Sequence, residues 1–425
     1  MPSDSTETRR TVILIVFVAS VLMLGCDGDT SLPEASDQPS VGSAVQTSAA
    51  SGIHALPFDA PALGLLIDDV DGDGRQDLAL TSHHASYAQV FYQREPRLFT
   101  PGPTVDAVGF HPGDLLRLPT ADRRFYLMNA EGANRLRVFE PTADGGFKTV
   151  SELFVPAPRT SSVFRWPDWG LGLAIGPFAT SAIYLAKNFD PLTGQHAGGA
   201  ELKFTPGVAH AHSIAVADID GDGIDELFFA NNIANVISMI RAPASGAAPV
   251  IEMLWRFQPG GRADAVVPFD LDQDGDLDLL IPDATDKRAL DRTDINVLVN
   301  NGQGEFQLIQ IPFPSRTRSE GGITGINAFD AGKDRDGMTY LLGTSHETLV
   351  LMQIPAGWTG KPPEARKIPF QGGAVVTQAL LRDIDGDGWL DLGMSRAIGQ
   401  NSGAILYGPL WETVGGLEAK GVMID

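Results

Sequence analysis

The sequence predicts an all-β protein, a seven-bladed β-propeller with four-stranded blades, on three observations. An acidic ten-residue motif occurs four times, beginning at residues 69, 218, 270 and 383, and each copy lies between short apolar runs. The distances between these starts are close to multiples of about 50 residues, a length typical of one propeller blade. The chain also contains 47 glycines and 29 prolines with 43% hydrophobic residues, which indicates many short strands joined by turns.

The spacing of the motif requires three further units in which the acidic pattern is scrambled or lost. Each is predicted where two apolar runs follow each other closely, as the first and second strands of a blade. The paired segments are 114–122 with 125–129, 169–176 with 182–185, and 326–330 with 333–341. Seven units of about 50 residues then cover 53–425.

The fourth unit shows the expected strand pattern most clearly. Its four strands are predicted at 213–217, 226–230, 236–241 and 250–255, with the acidic motif between the first two. Radial repetition of such units leaves only short, protected sheet edges. The ring must also close on itself, and either 54–58 or 417–425 is expected to supply the outer strand of the last blade.

Each acidic motif has carboxylates at positions 1, 3, 5 and 9 and a glycine at position 6. Four negative charges within nine residues repel one another, and a folded loop tolerates them best around a cation. A hard divalent ion takes six to eight oxygens, from such carboxylates and from a backbone carbonyl at position 7. Glycine at position 6 permits the positive φ with which the chain wraps around the ion.

Two other interpretations of the motif are available. An EF-hand requires a Glu at position 12, but that position is Leu80, Phe229, Ile281 or Met394 within an apolar run, so we reject it. A simple Asp-Gly hairpin turn with solvated acids remains the alternative for any single copy, although four copies in the same register favour a cation loop.

The repeat Asp-x-Asp-Gly-Asp-Gly-x-x-Asp-Leu resembles the FG-GAP/VCBS family, the repeats of integrin α-chain propellers and of many bacterial surface proteins. The resemblance covers 53–415; the Phe-Gly and Gly-Ala-Pro flanks are poorly kept, so the VCBS variant is the closer description. It implies about four Ca²⁺ sites with carboxylate ligands Asp69, Asp71, Asp73, Asp77, Asp218, Asp220, Asp222, Glu226, Asp270, Asp272, Asp274, Asp278, Asp383, Asp385, Asp387 and Asp391. The carbonyl ligands would be those of Arg75, Ile224, Asp276 and Trp389. Glu226 departs from the usual Asp and reaches further.

The N-terminus is predicted to be a targeting segment. Arg9 and Arg10 precede the apolar run 11–24, which is too short to span a membrane and fits a signal-peptide core. The following Gly25-Cys26 completes a sequence that resembles a bacterial lipoprotein lipobox, with Met23 where Leu is usual. We expect 1–26 to be a lipoprotein signal peptide with Cys26 lipidated; an ordinary signal peptide or an uncleaved anchor is the alternative. Residues 27–52, rich in Ser, Ala, Asp and Pro, are predicted to be a disordered tether.

The charge and the cysteine content of the chain restrict the classes of partner that we expect. The formal net charge of −22 comes mostly from the acidic loops, and no basic stripe is visible, so nucleic acid is not an expected partner. Cys26 is the only cysteine, so no disulfide forms within the chain. We expect a monomer that touches a membrane only through its lipid, in a bacterial cell envelope, periplasmic or surface-exposed.

A ligand is expected on the propeller face opposite the acidic loops, where polar residues and two long turns, 188–199 and 283–293, collect. The candidate residues are His83, His84, His196, His210, His212, Arg262, Asp264, Lys287, Arg288, Arg292 and His346. No nucleophile elbow, Walker loop or dinucleotide fingerprint is present. The predicted function is a calcium-binding adhesion or binding module for a protein or a glycan. The alternative is a lyase-like polysaccharide enzyme on the same scaffold.

Overall fold

A computed structural model describes residues 52–82, 85–106, 112–178, 182–203, 211–258, 261–284, 293–314, 325–345, 348–358, 361–370, 376–397 and 401–424. These residues form seven antiparallel sheets of four strands each. Each sheet is one blade, and the predicted seven-bladed β-propeller is confirmed. Residues 1–51, with the predicted signal peptide, Cys26 and nearly all of the predicted tether, lie outside the described residues.

Strands follow one another within each blade from the central channel outwards. Blades 1 to 3 consist of β2 (Ala62–Asp68), β3 (Asp77–Ser82), β4 (Tyr87–Glu95) and β5 (Leu98–Asp106), then β6 (Pro112–Leu118), β7 (Phe125–Ala130), β8 (Arg135–Pro141) and β9 (Phe147–Phe154), then β10 (Pro158–Trp166), β11 (Gly170–Pro177), β12 (Ala182–Ala186) and β13 (Gly199–Lys203). A single 3₁₀ turn, Glu131–Ala133, joins β7 to β8.

The remaining blades keep the same order, except that the last takes its outer strand from the N-terminal side. Blades 4 to 7 consist of β14 (Ala211–Ala217), β15 (Glu226–Asn231), β16 (Val236–Ile240) and β17 (Ile251–Arg256), then β18 (Val267–Phe269), β19 (Asp278–Pro282), β20 (Thr293–Asn300) and β21 (Phe306–Phe313), then β22 (Ala328–Lys333), β23 (Thr339–Thr344), β24 (Thr348–Ile354) and β25 (Glu364–Pro369), then β26 (Val376–Arg382), β27 (Asp391–Arg396), β28 (Gly403–Leu406) and β1 (Ile53–Leu56).

The hydrophobic core lies between the blades. Seven clusters of buried side chains occur in the described part of the chain, and each joins two neighbouring blades. The second strands are buried along their whole length in six blades, for example β3 and β15, because both of their faces pack against a neighbouring blade. A continuous apolar run therefore indicates a second strand. Along a first strand, buried residues alternate with residues that line the channel.

The third blade corrects one expectation. The segment 169–176 was predicted as its first strand, but β11 at this position is the second strand, and β10 precedes it. The prediction was wrong because β11 carries the continuous apolar run expected of a buried strand. The first strand is more polar, since Thr160 and Ser161 line the channel.

The ring closes through β1, which pairs antiparallel with β28, placing Ile53 opposite Leu406 and Leu56 opposite Gly403. Of the two predicted closures, the N-terminal one is confirmed. The alternative segment 417–425 is not a strand over its described part: α1 (Leu410–Ala419) ends there, and only Ile424 forms a bridge, to Phe370.

The closing strand also carries a buried histidine. His54 is 1% exposed and packs edge-on against Phe99 and Tyr407, and neither of its ring nitrogens has a hydrogen-bond partner among the described residues. Burial lowers its pKa from the ordinary 6.5, so the folded state holds the neutral ring.

Acid is therefore expected to weaken the closure. Below about pH 6.5 the unfolded chain binds a proton at His54 that the folded chain does not, so this contribution is complete above that pH and is lost as the pH falls. The His54→Leu variant should have a higher midpoint of thermal unfolding than the wild type, and the difference in midpoint should be larger at pH 5 than at pH 8. Thermal unfolding of both chains at both pH values measures that difference, and an equal margin would contradict the assignment.

Candidate metal centres

The four acidic motifs occupy the same place in four blades, between the first and second strands. They are named here by their blades: loop 1 (69–77), loop 4 (218–226), loop 5 (270–278) and loop 7 (383–391). Position 6 has a positive φ in each, between 83° and 101°, at Gly74, Gly223, Gly275 and Gly388. Residues other than glycine rarely adopt this conformation, so the predicted positive φ at position 6 is confirmed.

The carboxylate at position 9 holds each loop closed. It is at most 3% exposed in all four, and it accepts a hydrogen bond from the backbone N–H at position 2. The donor–acceptor pairs are Val70–Asp77 at 2.9 Å, Ile219–Glu226 at 3.0 Å, Leu271–Asp278 at 3.0 Å and Ile384–Asp391 at 2.8 Å. Position 9 is therefore a structural lock as well as a candidate ligand.

In loops 1 and 5 the lock extends to the preceding blade. Gln93 donates its backbone N–H to Asp77 Oδ1 at 2.9 Å and its side-chain amide to the Ile384 carbonyl of loop 7 at 2.9 Å. Asn300 likewise donates its backbone N–H to Asp278 Oδ1 at 2.9 Å and its side-chain amide to the Ile219 carbonyl of loop 4 at 2.6 Å. The acidic loops are thus connected through the third strands.

Burial disfavours the charged form of these position 9 carboxylates when no cation is bound. Desolvation raises the pKa of Asp77, Glu226 and Asp391 to about 7, and that of Asp278 to about 6. A divalent cation beside such a carboxylate reverses this effect by favouring the charged form.

Carboxylate oxygens from three residues converge in every loop to within 4.8 Å of one another. The convergent sets are Asp69, Asp71 and Asp77; Asp218, Asp220 and Glu226; Asp270, Asp272 and Asp274; and Asp383, Asp385 and Asp391. Three loops thus combine positions 1, 3 and 9, whereas loop 5 combines positions 1, 3 and 5.

The remaining predicted ligands serve the backbone of the loop. In all four loops the position 5 carboxylate accepts the N–H of position 7, and in loops 1, 4 and 7 it lies outside the convergent set. These contacts join Asp73 to Arg75 at 2.9 Å, Asp222 to Ile224 at 2.8 Å, Asp274 to Asp276 at 3.0 Å and Asp387 to Trp389 at 2.8 Å.

A second, independent observation indicates that loops 4 and 5 are suited to a cation. In the part of the chain that the structure describes, three buried carboxylate oxygens of the acidic loops lack a hydrogen-bond partner: Asp218 Oδ1 and Asp220 Oδ1 in loop 4, and Asp270 Oδ1 in loop 5. An unpartnered buried anionic oxygen is costly. Hard oxygen donors of this kind suit Ca²⁺.

An arginine pairs with the position 3 carboxylate in three of the four loops. The pairs are Arg94–Asp71 at 2.6 Å, Arg241–Asp220 at 2.8 Å and Arg97–Asp385 at 2.5 Å. In the described part of the chain no ion pair reaches loop 5. The arginine side chains are 38–46% exposed, and exposed pairs contribute little to stability. The arginines offset part of the loop charge without replacing a divalent ion.

Removing such an arginine is expected to strengthen calcium binding. In Arg94→Gln, a Ca²⁺ ion in loop 1 would no longer compete with a guanidinium for Asp71 and would not be repelled by one. We expect affinity at one site to rise on the order of fivefold at low salt. Calcium titration by calorimetry measures this change. Arg123→Gln, whose ion pair is with Glu140, is the matched control; an equal effect in both variants would contradict the placement of the ion.

The end of the channel opposite the acidic loops contains a cavity of about 290 Å³. Of the predicted ligand-face residues, His212 and Asp264 line it, and Arg262 Nε contacts Asp264 Oδ1 at 2.8 Å. The prediction for His196 was wrong, because the turn that carries it joins the third and fourth strands of blade 3 and so lies on the same side of the blade as the acidic loops. His196 is exposed and lines a groove beside Phe154. The other predicted ligand-face residues lie outside the described part of the chain: His83, His84, His210, Lys287, Arg288, Arg292 and His346.

Several polar residues of the cavity wall were not predicted from the sequence. Three of them, Asp114, Arg159 and Gln378, lie near the beginnings of the first strands of blades 2, 3 and 7 and face the channel. The only available signal was a polar residue at a channel-facing position of an otherwise apolar strand. Within the described ranges, no helix is long and apolar enough to span a lipid bilayer.

Comparison with known proteins identifies the fold alone. No protein-family model matches the sequence, and no curated protein matches it. Among solved structures, one described as the Dos1 propeller aligns with a TM-score of 0.50 and 11% identity, covering 80% of this chain and 79% of that chain. This chain is therefore similar in architecture to a known β-propeller.

Proposed function

We propose that this chain is a calcium-binding β-propeller of the FG-GAP/VCBS type that acts as a binding module for a protein or glycan in a bacterial envelope. β-Propellers present loops and a central channel on a rigid ring, which suits binding. The observation that carries the calcium assignment is the convergence of three carboxylates in each of four equivalent loops. The unpartnered buried oxygens in loops 4 and 5 support it further.

Calcium is proposed to act as a structural ion. The acidic loops and the ligand-facing cavity lie at opposite ends of the first strands, so an ion in a loop does not reach a ligand in the channel. An ion bound only by the folded state stabilises that state by mass action. It would therefore fix the blades that carry the binding face.

Loop 5 offers the sharpest test of this assignment. The double variant Asp272→Asn, Asp274→Asn removes two of its three convergent carboxylates and should lower the number of bound calcium ions by one in a calorimetric titration. Asp276→Asn is the matched control, because it removes a charge from the same loop while the expected ligand there is the backbone carbonyl. Equal ion counts in both variants would overturn the site.

We also propose that Cys26 carries the lipid that anchors the chain to a membrane. The apolar run 11–24 followed by Gly25-Cys26 supports this proposal. Growth of the producing bacterium with labelled palmitate should label the wild type and leave Cys26→Ser unlabelled and released from the membrane fraction. A Cys26→Ser chain that stays with the membrane would contradict the anchor.

The lyase alternative receives less support from the channel. Chemistry on a uronate would need a base and neutralising cations at the mouth. His212 and Arg159 line the cavity, with Arg262 beside it, but no lysine or tyrosine does so among the described residues. Incubation with uronate-containing polysaccharides, followed by detection of unsaturated product, distinguishes an enzyme from a binding module.

A further inference from the structure

The channel cavity draws its wall from all seven blades. The side chains that define its polar character are Asp114, Arg159, His212, Asp264, Asn327 and Gln378, one from each of blades 2 to 7. Blade 1 contributes Leu63 and Leu65, and Phe329 adds an aromatic surface. The cavity therefore combines a ring of hydrogen-bonding groups with apolar patches, as small-molecule sites commonly do.

Most charges around the cavity are already compensated within the protein. Arg262 pairs with Asp264 at 2.8 Å, and Arg159 Nη1 lies 3.5 Å from Glu131 Oε2. Burial lowers the pKa of His212, which keeps its ring neutral. Burial also raises the pKa of Asp114, which has no ion-pair partner among the described residues, and so disfavours its charged form. The wall thus offers neither a strong anion site nor a strong cation site, which favours a neutral ligand over a charged one.

The tautomer of His212 follows from its partner. Its Nδ1 lies 3.1 Å from the Asp264 carbonyl oxygen. A carbonyl only accepts hydrogen bonds, so Nδ1 carries the hydrogen in the neutral ring, and Nε2 has the lone pair. The histidine therefore adds no positive charge to the wall.

Asp114 is the acceptor that distinguishes this wall. Gln378 Nε2 donates to Asp114 Oδ1 at 2.7 Å, while Gln378 Oε1 accepts the Leu65 N–H at 2.5 Å, which fixes the amide orientation. Within the described residues no cation lies within ion-pair distance of this carboxylate. A carboxylate offers about four lone-pair positions, so Asp114 retains acceptor capacity for ligand hydroxyl groups.

We propose that this cavity binds one neutral sugar residue, such as the terminal monosaccharide of a glycan, with Asp114 as its principal hydroxyl acceptor. Sugar hydroxyls both donate and accept, which matches a wall that presents both kinds of group. The apolar C–H faces of the sugar ring would pack against Leu65 and Phe329. A volume of about 290 Å³ lies at the lower end of the usual range for ligand pockets, which selects a single ring. The inference rests on the proposed binding function and names its ligand class.

The test uses the purified full chain in calcium and a panel of small probes. D-Glucose, D-galactose, D-mannose and L-fucose represent the neutral class, and D-glucuronate and D-glucosamine carry one charge of either sign. Saturation-transfer NMR and calorimetry at millimolar ligand measure binding. We expect at least one neutral sugar to bind, with its charged counterparts binding at least tenfold more weakly.

Variants locate the site. Asp114→Asn is expected to weaken sugar binding at least tenfold, because one carboxyl oxygen that can accept a hydrogen bond becomes an amide NH₂ group that can only donate. Asn327→Ala should also weaken it from the other side of the cavity. Asp122→Asn, an exposed acid of the same blade, is the matched control and should bind like the wild type. Thermal unfolding in calcium verifies that each variant is folded.

Each outcome decides the inference. Tightest binding of a charged probe overturns the neutral class, and absence of binding by every neutral sugar overturns the site. Sugar binding that Asp114→Asn and Asn327→Ala leave unchanged places the ligand elsewhere; the proposed binding function then survives while the channel site fails. Sugar binding that depends on Asp114 in a chain that takes up no calcium supports the channel site and contradicts the calcium assignment.

Discussion

Chelation of calcium is expected to lower the midpoint of thermal unfolding of residues 52–425 by a large and reversible amount. An ion that binds only the folded state contributes roughly 2–3 kcal/mol per site when its concentration is about 100 times the dissociation constant. Four sites of this kind give the largest stability change that we predict for the chain. Part of the binding free energy comes from relief of repulsion, because without the ion several carboxylates remain crowded in each loop, and the position 9 acids are buried.

Two controls make this result specific. Magnesium prefers strict octahedral geometry and keeps its water, so it should restore much less of the midpoint than calcium. The Asp272→Asn, Asp274→Asn variant should lose about one site's share of the calcium effect, while Asp276→Asn keeps it. An unfolding midpoint that is the same in calcium and in chelator would show that the loops are ordinary acidic turns, and the propeller fold would stand without them.

Removal of the closing strand is expected to have the second largest effect. Leu56 and His54 are at most 1% exposed, and four residue pairs join β1 to β28. Truncation of one buried leucine alone typically costs about 2–5 kcal/mol. Deletion of 53–56 also opens the edge of β28, which becomes available for pairing with other chains. We expect this chain to unfold at a much lower temperature and to aggregate.

The comparison chain begins at residue 52 and keeps the whole of β1. Its unfolding midpoint should match that of a longer chain that includes the predicted tether, because β1 alone closes the ring. Thermal unfolding and size-exclusion chromatography measure both effects. A deletion chain that unfolds at the same temperature as the comparison chain and stays monomeric would contradict closure through β1.

Much of this fold was predictable because two independent signals agree along the chain. The period of about 50 residues predicts the number of blades, and the acidic motif marks the boundary between first and second strands in four of them. In blade 4 the predicted strands 213–217 and 226–230 differ from β14 and β15 by at most two residues at each end. Turn chemistry is local, so the glycines at position 6 were also predictable.

Blade 3 shows where sequence patterns fail. It lacks the acidic motif, so nothing in the sequence marked which apolar run came first. The continuous run of β11 was therefore mistaken for an inner strand, although its burial comes from neighbouring blades on both faces. Channel-lining residues such as Asp114 are equally hard to predict, because their function depends on seven strands meeting at one axis.

The arginine partners of the acidic loops illustrate the same limit. Arg97 belongs to blade 1 yet pairs with Asp385 of loop 7, and the two are adjacent only because the ring closes. Likewise the family resemblance implied Asp73 and Asp387 as ligands equal to the others, whereas in the structure they lie outside the convergent carboxylate sets of their loops. Spacing identifies a loop, but it does not assign a role to each of its oxygens.

Diffraction from crystals of this chain grown in calcium, at a wavelength where calcium scatters anomalously, tests the central claim most directly. We predict one anomalous peak inside each of loops 1, 4, 5 and 7, with the position 1 and position 3 carboxylates as ligands and with Arg94, Arg241 and Arg97 moved away from the ion. Loops without peaks, in which these arginines stay paired with the position 3 carboxylates, would contradict the assignment of the chain as a calcium-binding propeller.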